Sequence, residues 1–155
     1  MQLEGSPETS DFYKQGELKG SVTQKGRENL ILVVATDHLI LSPREAASGQ
    51  ATGKRQHQPL VITKDIDKAT PLLHRALVTN EPMATFRLDF WKTGTTGAET
   101  QMYTIELTNA FVTSIKLEML NTAYVENSRI NVREKVAFTY EKIAWTWREG
   151  GITAT

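Results

Sequence analysis

His38, His57 and His74 are the side chains of this sequence best suited to metal binding or proton transfer. A hydrolytic zinc site needs a tight cluster, such as two histidines one helical turn apart with a glutamate beside them, and this spacing does not occur. The chain has no cysteine, which excludes a thiolate nucleophile, a thiolate metal site and a disulfide. His74 lies among leucines in a predicted helix, and we interpret it as a histidine on the helix surface. The sequence therefore predicts no metal site.

Two further patterns only partly match motifs that carry chemistry. Residues 49–54 (GQATGK) place three residues between the glycines where a phosphate-binding loop has four, and Arg55 stands where Ser or Thr is required. Asp65 and Asp67 come just before the predicted helix, where negative charge is favoured by the helix dipole, so we interpret them as capping residues and not as an acid/base pair. The sequence also contains no nucleophile elbow and no dinucleotide fingerprint. We therefore predict no catalytic residues, no cofactor and no enzyme activity.

Lys54, Arg55 and His57 form the densest basic patch of the chain. They follow residues 42–53, a long connection with small side chains and little predicted structure of its own. Connections of this length are often interaction segments, although a solvated surface loop is the simpler alternative. Charges at the rim of an interface determine register and partner choice, so we interpret the basic patch as a docking edge for an acidic partner surface.

Charge and hydropathy narrow the possible partners. The 155 residues carry 18 Lys plus Arg and 18 Asp plus Glu, so the basic excess that is typical of nucleic-acid binding is missing. No apolar run approaches the ~20 residues needed to span a bilayer. The first residues, MQLEGSPETSDF, lack the basic and apolar regions of a signal peptide. We expect a soluble chain that is made in the cytoplasm without a signal peptide, binds no nucleic acid and does not insert into a membrane.

One helix is predicted at about residues 71–79. Thr70 is suited to cap its start through the side-chain oxygen, and Pro71 is well tolerated at the first helical position. Asn80 and the two residues after it end the pattern. The apolar stripe of this helix consists of Leu72, Leu73, Ala76 and Leu77.

The remaining convincing elements are strands. We predict a short strand at residues 2–4, a modest one at 17–24, a β-prone run at 30–41, alternating strands at 85–90, 101–108 and 111–119, and a last strand from about 132 to 147. Residues 120–130 are predicted to be a loop. In the last strand the apolar positions change from even to odd numbers, which predicts a β-bulge or sharp bend at Glu141-Lys142. The pattern indicates one domain over residues 1–155, mainly β, with an antiparallel barrel of two packed sheets and one helix against it.

Three segments resemble the haemolysin-coregulated protein (Hcp) family, the tube proteins of bacterial type VI secretion systems. They are HQPLVITK (residues 57–64), DKATPLL (67–73) and FTYEKIAWTW (138–147), and the resemblance extends over residues 15–153. Residues 1–14 and 120–130 depart from the family pattern.

The resemblance implies a small β-barrel with one helix, similar to phage tail-tube proteins. Members form homohexameric rings that stack into a tube inside a contractile sheath and under a spike. Sheath contraction ejects the tube into the medium or a target cell, in virulence or in competition between bacteria, and effectors are carried in the lumen. A phage-like tail-tube protein and an Hcp-like effector chaperone remain as alternatives. An enzyme is the fourth hypothesis, which a hydrolase activity dependent on one histidine would support.

The resemblance also suggests which residues meet other molecules. The long connection is the part that contacts adjacent subunits or rings in the family, and polar residues of the strands are candidates for the lumen wall. The predicted interface comprises Ala46, Ala47, Ser48, Gly49, Thr52, Gly53, Lys54, Arg55 and His57. The predicted lumen residues are Thr104, Glu106, Thr108, Ser114 and Lys116.

Overall fold

The structure is a computed structural model that describes residues 2–4, 20–23, 25, 27–28 and 30–155. This part of the chain is mainly β, with one α-helix and one short 3₁₀ turn at Val125–Asn127. The strands are β1 (Gln2–Glu4), β2 (Val33–Asp37), β3 (Ile40–Leu41), β4 (Gln56–His57), β5 (Leu60–Asp65), β6 (Met83–Thr93), β7 (Glu99–Glu118), β8 (Arg133–Thr139), β9 (Lys142–Trp147) and β10 (Ile152–Ala154), and the helix is α1 (Thr70–Thr79).

Strand β7 connects the two sheets of the fold. Its first half pairs with β6 on one edge and β9 on the other, and its second half pairs with β8. The antiparallel order is β1-β6-β7-β8-β5-β2, with β10 beside β9 and a separate β3-β4 ladder. The hydrogen bonds of these described strands do not join β2 to β1. The predicted fold class, antiparallel with two packed sheets and a helix, is confirmed.

The chain bends at two neighbouring places where it passes from one sheet to the other. One is within β7, and the other is between β8 and β9. In β7, Asn109 adopts a left-handed conformation (φ 49°), and its side-chain nitrogen donates a hydrogen bond to Glu141 Oε2 at 2.6 Å. The backbone N–H of Glu141 donates to the carbonyl of Thr108 (3.1 Å), which holds the two bends together. A bend at Glu141-Lys142 was one of the two predicted alternatives, and the chain bends there, at the residues between β8 and β9. The β-bulge alternative is wrong, because the flanking pairs Thr108–Lys142 and Phe111–Thr139 keep the same register.

Helix α1 covers the core on one side. Leu73 and Ala76 are buried, and Asn80 ends the helix in a left-handed conformation (φ 52°). The core beneath it includes the ring pair Phe86 and Phe138, whose centroids are 4.6 Å apart. The predicted helix and its end are confirmed.

A buried charged network joins the start of α1 to the sheet. The amine of Lys64, which has no solvent exposure, contacts Glu134 Oε1 at 2.6 Å, Asp67 Oδ1 at 2.9 Å and Thr70 Oγ1 at 3.1 Å. Thr70 in turn donates its hydroxyl proton to Glu134 (2.8 Å) and accepts from the backbone N–H of Asp67 (3.2 Å). The predicted N-cap role of Thr70 is therefore wrong: Ala69 occupies the N-cap, and the hydroxyl is committed to the network.

The carboxylates before α1 have two different roles. Asp67 accepts from the backbone N–H of Ala69 at 2.9 Å, which agrees with a place at the helix start. Asp65 lies at the end of β5 and binds Arg133 Nε (3.1 Å) and Asn131 Nδ2 (2.9 Å), so its predicted capping role is wrong. These bonds, those to Asn131 and Arg133 foremost, hold the pKa of Asp65 below its usual value.

The remaining segment predictions differ in outcome. Residues 120–130 form the predicted loop, and β1 occupies the predicted positions 2–4. In the predicted strand at 17–24, residues 20–23 are not in a strand, and the other residues lie outside the described part of the chain.

Candidate functional site

The long connection is a structured hairpin, which we call the exposed hairpin (residues 40–57). Strands β3 and β4 pair at its base, and Arg44 and Ala51 form a bridge further out. The backbone N–H of Thr52 donates to the carbonyl of Pro43, and that of Glu45 to Gln50, both at 2.9 Å. The prediction of little internal structure is therefore wrong, because backbone pairing supplies what the small side chains do not.

The predicted interface residues all lie on the exposed hairpin. Gly49 adopts φ 69° at the tip, and its carbonyl accepts a hydrogen bond from Arg44 Nη1 (2.9 Å). Ser48 donates to the carboxylate of Glu45. Every residue from 44 to 58 is exposed, so the tip residues and the basic patch form one continuous outward surface.

The base of the exposed hairpin is attached to the bend between β8 and β9. The hydroxyl of Tyr140 lies 2.6 Å from His38 Nε2 and 3.0 Å from His57 Nδ1. His38 lies two residues before β3 and His57 lies on β4, so the same oxygen is contacted from both sides of the hairpin base. A cleft of about 430 Å³, lined in part by Arg55 and Trp145, opens beside these rings. Sequence reasoning treated the histidines singly and missed this cluster.

Burial shifts the pKa values of His38 and Tyr140. Desolvation of the half-buried ring and repulsion from His57 lower the pKa of His38, and a hydrogen bond to the backbone of Gln58 and the charge of Asp37 oppose them in part. Burial raises the pKa of the Tyr140 hydroxyl, so Tyr140 keeps its proton.

The predicted lumen residues lie along β7, and their exposure differs. Thr104 is buried, and its hydroxyl donates to Asp89 Oδ1 (2.9 Å) and accepts from Gln101 Nε2 (2.9 Å) and Arg148 Nε (3.2 Å). Glu106 is exposed and Thr108 half-buried, while Ser114 and Lys116 are exposed on the second half of the strand.

Several large apolar side chains are also exposed. Leu117 and Met119 alternate like core residues in the sequence, yet 65% and 66% of their surface is accessible. Leu117 lies near the far end of β7 and Met119 directly follows the strand, both beyond Ala110, the last residue that pairs with β6. Sequence periodicity missed this, because it identifies an apolar face but not whether another strand or helix covers it. Other exposed apolar residues include Leu32, Val34, Leu39, Leu41, Tyr124 and Val125.

The described residues offer little else for chemistry. They contain no group of three His, Cys, Asp or Glu side chains close enough to hold a metal ion. Within the same residues, no helix has the length and apolar character to cross a bilayer. His74 is exposed on α1, as predicted, and its Nδ1 lies 2.9 Å from the carbonyl oxygen of Thr70.

Comparison with known proteins gives consistent results at the levels of family, sequence and structure. The family model "Type VI secretion system effector, Hcp" matches residues 3–147. The "Major exported protein" of Pseudomonas aeruginosa is 37% identical over 136 residues, which are 88% of this chain and 79% of that protein.

Solved structures named Hcp have the same fold. A crystal structure titled "Hcp protein" has a TM-score of 0.86 at 27% identity, over 99% of this chain and 92% of the other. A double mutant of Hcp1 from E. coli EAEC 042 has a TM-score of 0.81 at 30% identity, over 98% and 92%. The secreted protein Hcp3 of Pseudomonas aeruginosa has a TM-score of 0.69 at 30% identity, over 88% and 80%. The chain thus belongs to the Hcp family of type VI secretion proteins.

Proposed function

We propose that this chain, as one Hcp-like domain, is the structural subunit of a type VI secretion tube, in which homohexameric rings stack and are ejected by the sheath. The exposed hairpin carries this proposal. It is hydrogen-bonded internally, yet residues 44–58 are all exposed, so its ordered backbone covers none of the core. An ordered arm of this kind is suited to contact a neighbouring copy.

The exposed apolar side chains support self-association. Leu32, Val34, Leu39 and Leu41 cluster in sequence around β2 and β3, next to the exposed hairpin, and Leu117 and Met119 lie at the end of β7. Burying such side chains against a second copy removes apolar surface from water at about 25 cal/mol per Å². Two separate apolar regions on one chain suit a head-to-tail contact, which closes into a ring when the rotation permits.

The proposal assigns different roles to the two groups of predicted residues. Ala46, Ala47, Ser48, Gly49, Thr52, Gly53, Lys54, Arg55 and His57 contact the adjacent subunit or ring. Glu106, Thr108, Ser114 and Lys116 face the lumen, with Thr104 beneath them, and meet effectors there. The spike and the sheath are the other partners. The name of the Pseudomonas relative, "Major exported protein", supports export, which we propose occurs from the cytoplasm without a signal peptide.

Light scattering and negative-stain microscopy of the purified chain test the assembly. We expect particles of about six times the 17.4 kDa of one chain, seen as rings. A chain that remains monomeric at high concentration and shows no rings contradicts the proposal.

Substitutions at two positions distinguish the stacking contact at the hairpin tip from the effector contact in the lumen. Ala47→Arg places a long cation at the hairpin tip and should reduce stacking while rings persist, whereas Ala47→Ser, a small polar change at the same site, should stack normally. Ser114→Arg should reduce co-purification of effector proteins without changing the rings. Equal stacking of both Ala47 variants contradicts the proposed role of the tip.

A further inference from the structure

The Tyr140 hydroxyl is shared by two imidazoles, one from His38 just before the exposed hairpin and one from His57 at its end. His38 Nε2 lies 2.6 Å away and His57 Nδ1 lies 3.0 Å away, and both rings meet the phenol ring edge-on, with centroids 5.8 and 5.9 Å apart. Near this cluster the hairpin is also paired through Ile40–His57 in the β3-β4 ladder and through the Gln58 N–H to the Leu39 carbonyl (3.0 Å). Those backbone bonds join the two arms of the hairpin to each other, whereas the two side-chain contacts with Tyr140 join its base to the β8–β9 bend.

The number of protons in the cluster determines its hydrogen bonds. Tyr140 has one proton to donate, so it can satisfy only one imidazole as a donor. In the neutral tautomer with its proton on Nδ1, His38 accepts the hydroxyl proton of Tyr140 through Nε2. His57 must then donate from Nδ1 to the phenol oxygen, and its Nε2 is left without a proton. All three groups are satisfied when both histidines are neutral.

Protonation of His38 changes this arrangement. Nε2 of its neutral ring is the acceptor of the hydroxyl proton, so an added proton there reverses the contact, and Nε2–H then donates to the phenol oxygen. The hydroxyl proton loses its acceptor within the cluster, and a positive charge lies beside the ring of His57, whose repulsion opposes it.

Few neighbouring charges offset that repulsion. Asp37, next to His38 in the chain, favours the charged form of its ring. On the other side, Arg55 on the hairpin and Lys142 on β9 are cations that line the cleft, and the carboxylate of Glu141 is hydrogen-bonded to Asn109.

We propose that His38, Tyr140 and His57 form a pH-sensitive clamp, which holds the exposed hairpin on the β8–β9 bend at neutral pH and releases it when His38 is protonated. The direction of the pH effect follows from the linkage between protonation and stability. Because the pKa of His38 in the folded protein lies below the ordinary value of 6.5, the clamp is fully stable above that pH and loses stability as the pH falls below it. If the proposed stacking through the hairpin is correct, on which this consequence depends, the tube becomes labile in acid.

Hydrogen exchange of the 155-residue chain at pH 7.5 and pH 5.0, corrected for the intrinsic effect of pH and with a chelator present, tests the clamp. We expect the protection of amides in residues 40–57 to fall about tenfold or more at the lower pH, the change that the loss of one or two hydrogen bonds produces. Protection in β6 should not change.

Matched variants identify the proton acceptor. His38→Gln retains an acceptor but cannot be charged, so its hairpin should stay protected at both pH values. Tyr140→Phe should be poorly protected at both. His74→Gln removes a histidine elsewhere and should behave like the unchanged protein.

Two results would overturn the clamp: wild-type protection that does not change between the two pH values, or an equal loss in His38→Gln. A titration of the His38 ring by NMR gives a second measurement that does not depend on any variant folding, and a midpoint above 6.5 would also contradict it. Exchange can be measured in whichever oligomer forms, so a failure to form rings contradicts the proposed function while the exchange data still decide on the clamp.

Discussion

Replacing Lys64 by methionine should be among the most destabilising single changes in this protein. The amine is fully buried and contacts Glu134, Asp67 and Thr70, and it also donates to the backbone carbonyl of Asp65 at 3.0 Å. Methionine preserves much of the volume, so the effect reports the loss of charge and hydrogen bonds and not a cavity.

The expected loss of stability follows from the state in which the Glu134 carboxylate is left. Without Lys64, the carboxylate of Glu134 stays buried with the Thr70 hydroxyl as its hydrogen-bond donor, and its Oε2 has no hydrogen-bond partner even in the intact protein. Breaking a buried ion pair by removing one partner costs about 3–5 kcal/mol. At roughly 2–4 °C per kcal/mol for a chain of this size, the melting temperature should fall by about 6–20 °C.

Removing the other partner, Glu134, should destabilise the protein less than removing Lys64. Glu134→Leu leaves the Lys64 amine with Asp67, Thr70 and the Asp65 carbonyl, so its charge is still compensated. The double variant Lys64→Met/Glu134→Leu should be more stable than Lys64→Met alone, because the Glu134 carboxylate is then no longer buried without a cation.

The assay is chemical and thermal unfolding of the four proteins at one matched concentration, since assembly also shifts apparent stability. The reasoning is refuted if Lys64→Met costs less than about 1 kcal/mol, or if Glu134→Leu costs more than Lys64→Met.

Three further predictions concern the packing of α1, the bend at Asn109 and the ion pair of Asp65. Leu73→Ala should lower the free energy of unfolding by about 2–5 kcal/mol, while Val78→Ala on the exposed side of α1 should change it by less than about 0.5 kcal/mol. Similar values for the two variants would contradict the packing of Leu73 against the core. Asn109→Gly should cost less than Asn109→Ala in denaturant titrations, because glycine tolerates the left-handed conformation, and the opposite order would contradict a strained bend. The folded-state pKa of Asp65 is lowered, so its stabilising effect is complete above about pH 4 and is lost as the pH falls through that pKa. The stability difference between wild type and Asp65→Asn should therefore shrink in acid, and a constant difference would exclude the ion pair with Arg133.

The helix and the alternating strands could be predicted because their signals are local. Pro71, the leucine stripe and Asn80 determine α1 from within ten residues, and the change of parity before Ile143 indicates the bend. The registers could not be predicted, since the matching change in β7 occurs at Asn109, which falls between the predicted strands 101–108 and 111–119.

The clusters of polar side chains could not be predicted for a different reason. Lys64 and Glu134 are 70 residues apart, and Tyr140 is 102 residues from His38. A lysine in a strand is read as exposed by its type, and only the fold shows that carboxylates surround it. The exposed hairpin was missed as an element because glycine, alanine and serine carry little strand propensity, and its pairing is almost entirely backbone.

The continuity of β7 through both sheets has a mechanical consequence. Its 20 residues extend for roughly 65 Å at ~3.3 Å per residue, and its edges are bonded to β6, β8 and β9. A force applied along this strand loads many hydrogen bonds in shear at once and does not open them one at a time. The covalent backbone transmits the load from one sheet to the other, and the bend at Asn109 is the place where that path can flex.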